Sequence, residues 1–179
     1  MGYSRPEPLR GKHQLDGFES GEESLDLWLH RYARHAEAAG SARVFVTSAG
    51  GSRVVGYYAL AVGQVEPENA TTRLLKGQPG GRPVPVVILA RLAVDRSHQS
   101  RGVGRSLLQD ALLRCAAAAE SVGIRALVVH AHEEARDFYL RFGFEPSPTD
   151  PLHLILLVKD LKRFLRGAKR AWETGGDGS

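Results

Sequence analysis

The sequence predicts a mixed α/β domain, and three observations lead there. Apolar residues recur at helical spacing in some segments and as short continuous or alternating runs in others, and the two kinds interleave along the chain. The 179 residues, 42% apolar and 25% charged, have the balance of one globular domain able to bury a core. Glycine and proline, 20 and 9 in number, are scattered, and charges interrupt every stretch long enough to span a bilayer, so collagen-like, wholly disordered and membrane-spanning classes are excluded. The first residues lack the apolar core of a secretory signal, and the single cysteine, Cys115, has no internal partner, which together predict a soluble cytoplasmic protein.

Residues 20–39 carry Leu25, Trp28, Leu29, Tyr32 and Ala36 at helical spacing, with Ser20 and Glu23 placed as a capping box and Gly40 as the stop. Two β-rich runs follow, 42–48 and 53–65, and the Gly-Gly turn between them predicts an antiparallel hairpin. Residues 66–83 mix prolines and glycines with Arg73, Lys76 and Arg82, which predicts an exposed basic loop with room for a short helix. The nearly continuous apolar run 84–94 reads as a strand in mid-sheet, covered on both faces. Leu107, Leu108, Ala111, Leu112, Cys115, Ala118 and Val122 fall on one stripe of a helix over 104–122 ended by Gly123, which makes Cys115 a core residue rather than a nucleophile. A buried strand at 126–130, a short helix at 133–142 stopped at Gly143 and a further strand at 152–158 come next. Asp160 then caps an amphipathic helix with Leu161, Phe164, Leu165, Ala168 and Trp172 on one side and Lys162, Arg163, Arg166, Lys169 and Arg170 largely on the other. A disordered tail is expected at 173–179.

Lys and Arg number 24 against 20 Asp and Glu, a formal net charge of +4 that favours polyanionic partners without identifying one. The sharper signal is Gln99-Ser100-Arg101-Gly102-Val103-Gly104, set between a buried strand and a helix. A loop entering a helix N-terminus presents backbone N–H groups with no acceptor inside the helix, and the macrodipole adds positive potential, so phosphate oxygens are accommodated there. Gly102 and Gly104 allow close approach to the backbone, and Arg101 and Arg105 add charge. Two nucleotide signatures fail: no Lys follows the glycines as a P-loop requires, and Leu107 stands where a dinucleotide fingerprint has its third glycine. A strand-to-helix turn without any ligand satisfies the same letters. Nothing in the pattern requires a metal.

The surroundings of that loop say more. Arg91-Leu92-Ala93-Val94-Asp95 followed by Gln99 through Gly104 resembles motif A of the GCN5-related N-acetyltransferase (GNAT) family, and Ala135-Arg136-Asp137-Phe138-Tyr139-Leu140-Arg141-Phe142-Gly143-Phe144 resembles its A-x-x-F-Y-x-x-x-G-F segment. The resemblance implies a single-domain twisted mixed sheet with helices on both faces and a splayed central pair of strands, with acetyl-CoA in the gap. It implies that the backbone of Leu92, Ala93 and Val94 meets the pantetheine, that an N–H at Val94 or its neighbour polarises the thioester carbonyl, and that Gln99, Ser100, Arg101, Gly102, Val103, Gly104, Arg105 and Ser106 form the rest of the cofactor-binding set, with the pyrophosphate on the amides of 101–106. Tyr139 matches the family's tyrosine, which implies a general acid for the departing CoA thiolate; a phenol with pKa near 10 is protonated at neutral pH and suits a donor. Taken alone, Tyr139 packing beside Phe138 is the plainer account. His130, His132, Glu133 and Glu134 are bases acting through water or merely solvated side chains, and His130-Ala131-His132 stands where family members often carry Asn.

A narrower resemblance, to TacT- and AtaT-type acetyltransferase toxins, rests on Leu15-Asp16-Gly17-Phe18-Glu19-Ser20-Gly21, Leu25-Asp26-Leu27-Trp28-Leu29, Val55-Gly56-Tyr57-Tyr58-Ala59-Leu60 and the strand ending Leu89-Ala90-Arg91-Leu92-Ala93-Val94-Asp95. It implies the toxin of a type II toxin-antitoxin system that acetylates the α-amine of aminoacyl-tRNA, inhibits translation, is neutralised by a ribbon-helix-helix antitoxin and forms a homodimer. Two physical points agree with it. An α-amine with pKa near 7.7–8.0 needs little deprotonation, whereas a lysine near 10.4 demands a base, and a tRNA acceptor arm needs cations around the cleft. Arg91, Arg73, Lys76 and Arg34 are the substrate-binding candidates, with Arg82, His30, Arg31 and His35 behind them, and each is equally readable as a solvated charge. Arg91 stands out because a charge within an apolar strand must reach a cleft, a partner or the sheet's end, or else pair within the fold. The layout is then an extension at 1–14, an acetyltransferase domain at 15–172 whose basic C-terminal helix covers about 160–172, and the tail. Acetyl transfer to a small-molecule amine or to protein amino groups, and a silent CoA- or nucleic-acid-binding module, are the alternatives.

Overall fold

A computed structural model describes residues 2–174, with side chains as far as Arg166. In chain order the elements are β1 (Glu7–Pro8), α1 (Glu23–Arg31), α2 (Ala33–Ala39), β2 (Arg43–Ala49), β3 (Arg53–Val65), α3 (Thr72–Leu75), β4 (Val84–Val94), α4 (Val103–Ala119), β5 (Ala126–His130), α5 (Arg136–Leu140), β6 (Glu145–Pro146), β7 (His153–Leu157) and α6 (Val158–Thr174). The sheet has seven strands in the order β1-β2-β3-β4-β5-β7-β6. It is mixed, as the sequence predicts: β4 and β5 are parallel, whereas β1–β2, β2–β3, β5–β7 and β6–β7 are antiparallel. Two compact units share the chain.

The first unit takes the chain as far as Ala61 together with Leu89–Ala111. Its hairpin sets Val44 opposite Ala59, with a bulge between Thr47 and Ser48. Neighbouring β3 side chains face opposite ways, so Tyr57 gives its hydroxyl to the Leu25 carbonyl of α1 at 2.7 Å while Tyr58 gives its own to Asp110 of α4. Helices therefore cover both faces here. On the α1 side Leu25, Leu29, Ala33, Val44, Val46, Val54, Ala59 and Ala93 close a core around Tyr57, and each large aliphatic side chain buried there stabilises the fold by about 1.5–3 kcal/mol.

Two expectations are corrected in this unit. The helix over 20–39 is two helices, because Tyr32 (φ −119°, ψ −22°) ends α1 and opens α2. The capping box does not form: Ser20 gives its hydroxyl to Asp26 Oδ1 at 2.6 Å, and its amide also meets that carboxylate, so Asp26 reaches back over the first turn instead. A carboxylate is favoured there by the helix dipole. The N-terminal extension at residues 1–14 is built into the sheet, since Glu7 and Pro8 pair with Val46 and Phe45 and Leu9 is buried. They cover the edge that β2 would otherwise expose, in a strand short enough to tolerate proline.

The second unit takes Val62–Ile88 and the chain from Leu112 onward. Parallel pairing runs from Val86 opposite Ala126 to Ile88 opposite Val128, and β5 then pairs β7 from Ala126–Leu157 to His130–His153. The segment expected as an exposed loop at 66–83 is half built in: Thr71 caps α3 by accepting the Leu74 amide at 3.2 Å, and Leu74 is fully buried among Val65, Val84, Val86 and Ile155. Helix α4 ends at Ala119, so Val122 leaves the buried stripe and is 60% exposed. Helix α6 begins at Val158, which places Asp160 inside its first turn rather than at its cap. The helix continues through Thr174, so residues 173 and 174 of the expected tail are helical. The rest of the tail, and the side chains of Ala168, Lys169, Arg170 and Trp172, lie outside the described residues. Among the described residues no helix is long and apolar enough to cross a membrane.

Candidate active site

Strand β4 ends at Val94, and the turn that leads into α4 is held by its own side chains. Asp95, 5% exposed, accepts the amides of Ser97 at 3.0 Å and Glu19 at 3.1 Å, and donates its own amide to Val55 at 2.7 Å. Gln99 spans the turn, its Nε2 donating to the Val94 carbonyl at 3.0 Å and the Ser20 carbonyl at 2.8 Å. Ser100 (φ 61°) and Gly102 (φ 83°) are both left-handed, with Arg101 between them, and turns of this kind gather successive N–H groups into an anion-binding concavity. A side chain at Gly102 would meet no atom within 4 Å, so the turn is open as well as left-handed. The amides of Val103 and Gly104 at the start of α4 have no acceptor within the helix, whereas the Ser106 amide already donates to the Gly102 carbonyl at 3.0 Å; Arg101, Arg105 and Ser106 are exposed around them.

The seat of α4 depends on Gly56 of β3. A Cβ there would lie 2.9 Å from both Val103 Cγ1 and Leu107 Cδ1, so the missing side chain lets the first turn of α4 close on the sheet. Tyr3 adds a tie from the N-terminus, its hydroxyl 2.9 Å from His98 Nδ1. Space at Gly102 and the commitment of Asp95 and Gln99 to backbone groups leave this turn open to an anion. Leu92 and Val94 are half-buried and Ala93 is buried.

Arg91 sits half-buried on the same strand, with its guanidinium carbon 5.0 Å from the centroid of the Trp28 ring. Trp28 in turn stacks on Tyr57 at 6.0 Å and 8°. The Arg91 Nε is buried and has no hydrogen-bond partner. Arg34 has a different occupation, donating to the carbonyls of Arg10 at 3.0 Å and His13 at 2.6 Å. His13 completes that clasp by accepting the Arg10 amide at Nδ1 and donating from Nε2 to Glu7. A cavity of about 330 Å³ beside α1 is lined by Glu19, Asp26, Leu27, His30, Arg31 and Arg96.

In the second unit, α5 presents Tyr139, 5% exposed and edge-on to Phe138 at 5.1 Å and Phe144 at 5.6 Å. Among the described residues its hydroxyl has no hydrogen-bond partner. Burial pushes its pKa well above the ordinary tyrosine value, so the phenol keeps its proton across the neutral range. Arg73 is committed elsewhere: Nη1 meets Glu145 at 2.6 Å and Nη2 meets Asp160 at 2.8 Å. Lys76 and Arg82 are exposed, and the Lys76 carbonyl accepts from Arg125 at 2.7 Å. His130 stacks on His153 at 4.2 Å, and burial with the neighbouring His130 lowers the His153 pKa. His132, Glu133 and Glu134 are exposed. The Cys115 thiol is fully buried and pushed up to about 11, as a core cysteine should be.

Sequence reasoning missed Trp28, Asp95 and Gly56 as parts of this site. Trp28 reads as one more residue of an apolar helical stripe; its signal is the coincidence of that indole with an arginine in an apolar strand. Gly56 interrupts a strand of bulky residues, which marks a close approach by another element.

The acetyltransferase (GNAT) domain family matches residues 40–146. The chain is 50% identical to the tRNA-acetylating toxin of Mycobacterium tuberculosis over 165 residues, 92% of this chain and 98% of that one. It is similar to the structure of AtaT complexed with acetyl-methionyl-tRNAfMet, with TM-score 0.82 and 27% identity over 92% of this chain and 99% of that chain. It is also similar to a mutant AtaT toxin bound to the C-terminus of the antitoxin AtaR and acetyl-CoA, with TM-score 0.77 and 27% identity over 91% and 98% of the two chains. With an anion-ready turn between a central strand and a helix, and with these relatives along nearly its whole length, the chain belongs to the GNAT family of acetyl-CoA-dependent N-acetyltransferases.

Proposed function

We propose that the chain is the toxin of a toxin-antitoxin pair, transferring an acetyl group from acetyl-CoA to the α-amine of aminoacyl-tRNA and so halting translation. The observation that carries this is the turn from Val94 into α4, held open by Asp95 and Gln99 with left-handed residues at Ser100 and Gly102. Bound acetyl-CoA supplies an acyl group activated as a thioester. The amides of residues 101–106, Ser106 excepted because its N–H already meets the Gly102 carbonyl, would hold its diphosphate, the backbone of Leu92, Ala93 and Val94 would align its arm, and an N–H at Val94 or its neighbour would polarise the carbonyl. One such donor to developing negative charge lowers the barrier by about 3 kcal/mol.

Tyr139 holds a proton on its hydroxyl for the leaving sulfur. A thiolate in the same apolar surroundings is a stronger base than one in water, so a phenol with a raised pKa is matched to it. An α-amine with pKa near 7.7–8.0 is already partly neutral near pH 7, which leaves no strong base to find. Arg91, Lys76 and Arg34 offer positive charge to the acceptor arm, whereas Arg73 has its charge met by Glu145 and Asp160. A ribbon-helix-helix antitoxin, a homodimer and a cytoplasmic site of action complete the proposal; the antitoxin partner is supported by the complex of an AtaT relative with the C-terminus of AtaR.

The test is incubation of the pure protein with labelled acetyl-CoA and a pool of charged tRNAs. Label is expected on aminoacyl-tRNA, with a loss of about 100-fold or more in Tyr139→Phe. Label on uncharged tRNA, on polyamines alone, or on nothing contradicts the proposal.

A further inference from the structure

A charged side chain in an apolar strand costs stability unless something answers its charge. Arg73 has two carboxylates to do so. Arg91 has the face of Trp28 at 5.0 Å and a buried Nε with no acceptor, and among the described residues no ion pair. Stacking fixes the plane of a guanidinium without neutralising it, so the full positive charge stays available to a ligand. An N–H left without water and without an acceptor is costly, and a partner arriving with the substrate repays that cost.

Resting on the acetyltransferase function proposed above, we infer that Arg91 binds a backbone phosphate at the 3′ end of the charged tRNA and that Trp28 is the positioning residue that aims it. The guanidinium edge made by Nε and one terminal nitrogen offers two parallel donors, which match two phosphate oxygens; the carbonyl of the aminoacyl ester would satisfy only one. Strand alternation places Arg91 on the same face as Ala93, which lies in the core around Tyr57 beneath α1. Three strand positions separate Arg91 from Val94, about 10 Å of rise, and the α-amine of an aminoacyl ester is about eight bonds, again on the order of 10 Å, from the phosphorus of its own nucleotide. An amine brought to the Val94 end of the strand therefore carries its phosphate within reach of Arg91. The coenzyme's diphosphate has its own set of amides beyond Val94, in the turn into α4.

Steady-state transfer to charged tRNA across about 50–200 mM salt, with calorimetric titration of CoA alongside, tests the assignment. Arg91→Gln is expected to raise KM for charged tRNA about 10- to 100-fold with kcat within about threefold, and to make the dependence of log KM on log salt shallower by about 0.7, one single-strand phosphate contact. Arg91→Lys should keep the salt slope while recovering only part of KM. Trp28→Leu should reproduce much of the KM rise, and Trp28→Phe, which keeps an aromatic face, should restore it; a Trp28 that serves only the core would change thermal stability without touching the salt slope. An unchanged slope with KM within twofold in Arg91→Gln overturns the inference, and an equal loss of CoA affinity gives the phosphate to the coenzyme instead. If wild type binds CoA but acetylates no charged tRNA, the functional proposal fails on its own. Binding of a single-stranded RNA ending in CCA then decides the phosphate: Arg91-dependent, salt-sensitive binding upholds it, and binding indifferent to Arg91 overturns it.

Discussion

Two segments of this chain combine glycines with arginines, and they come to opposite ends. In the turn from Asp95 to Gly102 the side chains of Asp95 and Gln99 are spent on backbone groups, and the amides that follow, at the entry to α4, have no acceptor within the helix. In the segment from Thr71 to Arg82 the helix α3 is capped, Leu74 is buried and Arg73 is tied to Glu145 and Asp160. The first spends side chains to keep backbone charge available, and the second spends its best cation on holding the fold. Similar letters thus yield a turn open to an anion in one place and a structural clasp in the other, and the difference lies in which groups are already satisfied.

The largest expected effect is on the first segment. Gly102→Glu puts a carboxylate among the exposed amides and forces a side chain into left-handed backbone, so CoA affinity should fall by more than about 100-fold while the thermal midpoint shifts little. Gly102→Ala carries only the backbone strain, about 1 kcal/mol, and should lose no more than about tenfold. Calorimetric titration of both variants separates charge from strain, and equal affinity in Gly102→Glu and wild type would erase the contrast between the two segments.

Gly56→Ala comes next. Its methyl group would press on Val103 and Leu107, so the first turn of α4 must shift; a drop in melting temperature and a weakening of CoA binding of about tenfold are expected together. Smaller again is Arg73→Ala. Its ion pairs are exposed to solvent, so only a small loss of stability is expected, read as a shift of at most a few degrees in the thermal midpoint, with KM for charged tRNA within about twofold. A KM change as large as that of Arg91→Gln would mean that both segments serve the substrate.

The smallest effect concerns pH. Burial and His130 lower the His153 pKa, so the folded state prefers the neutral ring; the stability this contributes is complete above the unfolded value near 6.5 and is lost as pH falls through the lowered folded value. Denaturation midpoints measured from pH 7 downward should therefore fall less steeply in His153→Asn than in wild type.

Much of this was legible in the sequence because periodicity is a local property. The hairpin, the central strand, α4 and β5 announce themselves by alternation, by continuous apolar runs or by a stripe, and the paired glycines mark the turn. Two-residue strands such as Glu7–Pro8 and Glu145–Pro146 have no period to detect, and they exist because long-range partners pair with them. The break at Tyr32 lies inside a run of helical spacing that gives no hint of it. Val122 shows the reverse error, a residue in register with a stripe whose helix has already stopped. Charges were the hardest to sort: Arg91 stands out by lying in an apolar strand, but whether it or Arg73 is neutralised within the fold depends on carboxylates distant in sequence for Arg73 and an indole on another element for Arg91.

The most direct measurement is amide chemical-shift mapping on the intact protein as CoA is titrated in. The N–H signals of Gly102, Gly104, Arg105 and Ser106 are expected to move and to exchange more slowly with solvent, while those between Thr72 and Arg82 stay where they are. Unmoved signals in the turn ahead of α4, with the response gathered in the other segment, would contradict the account.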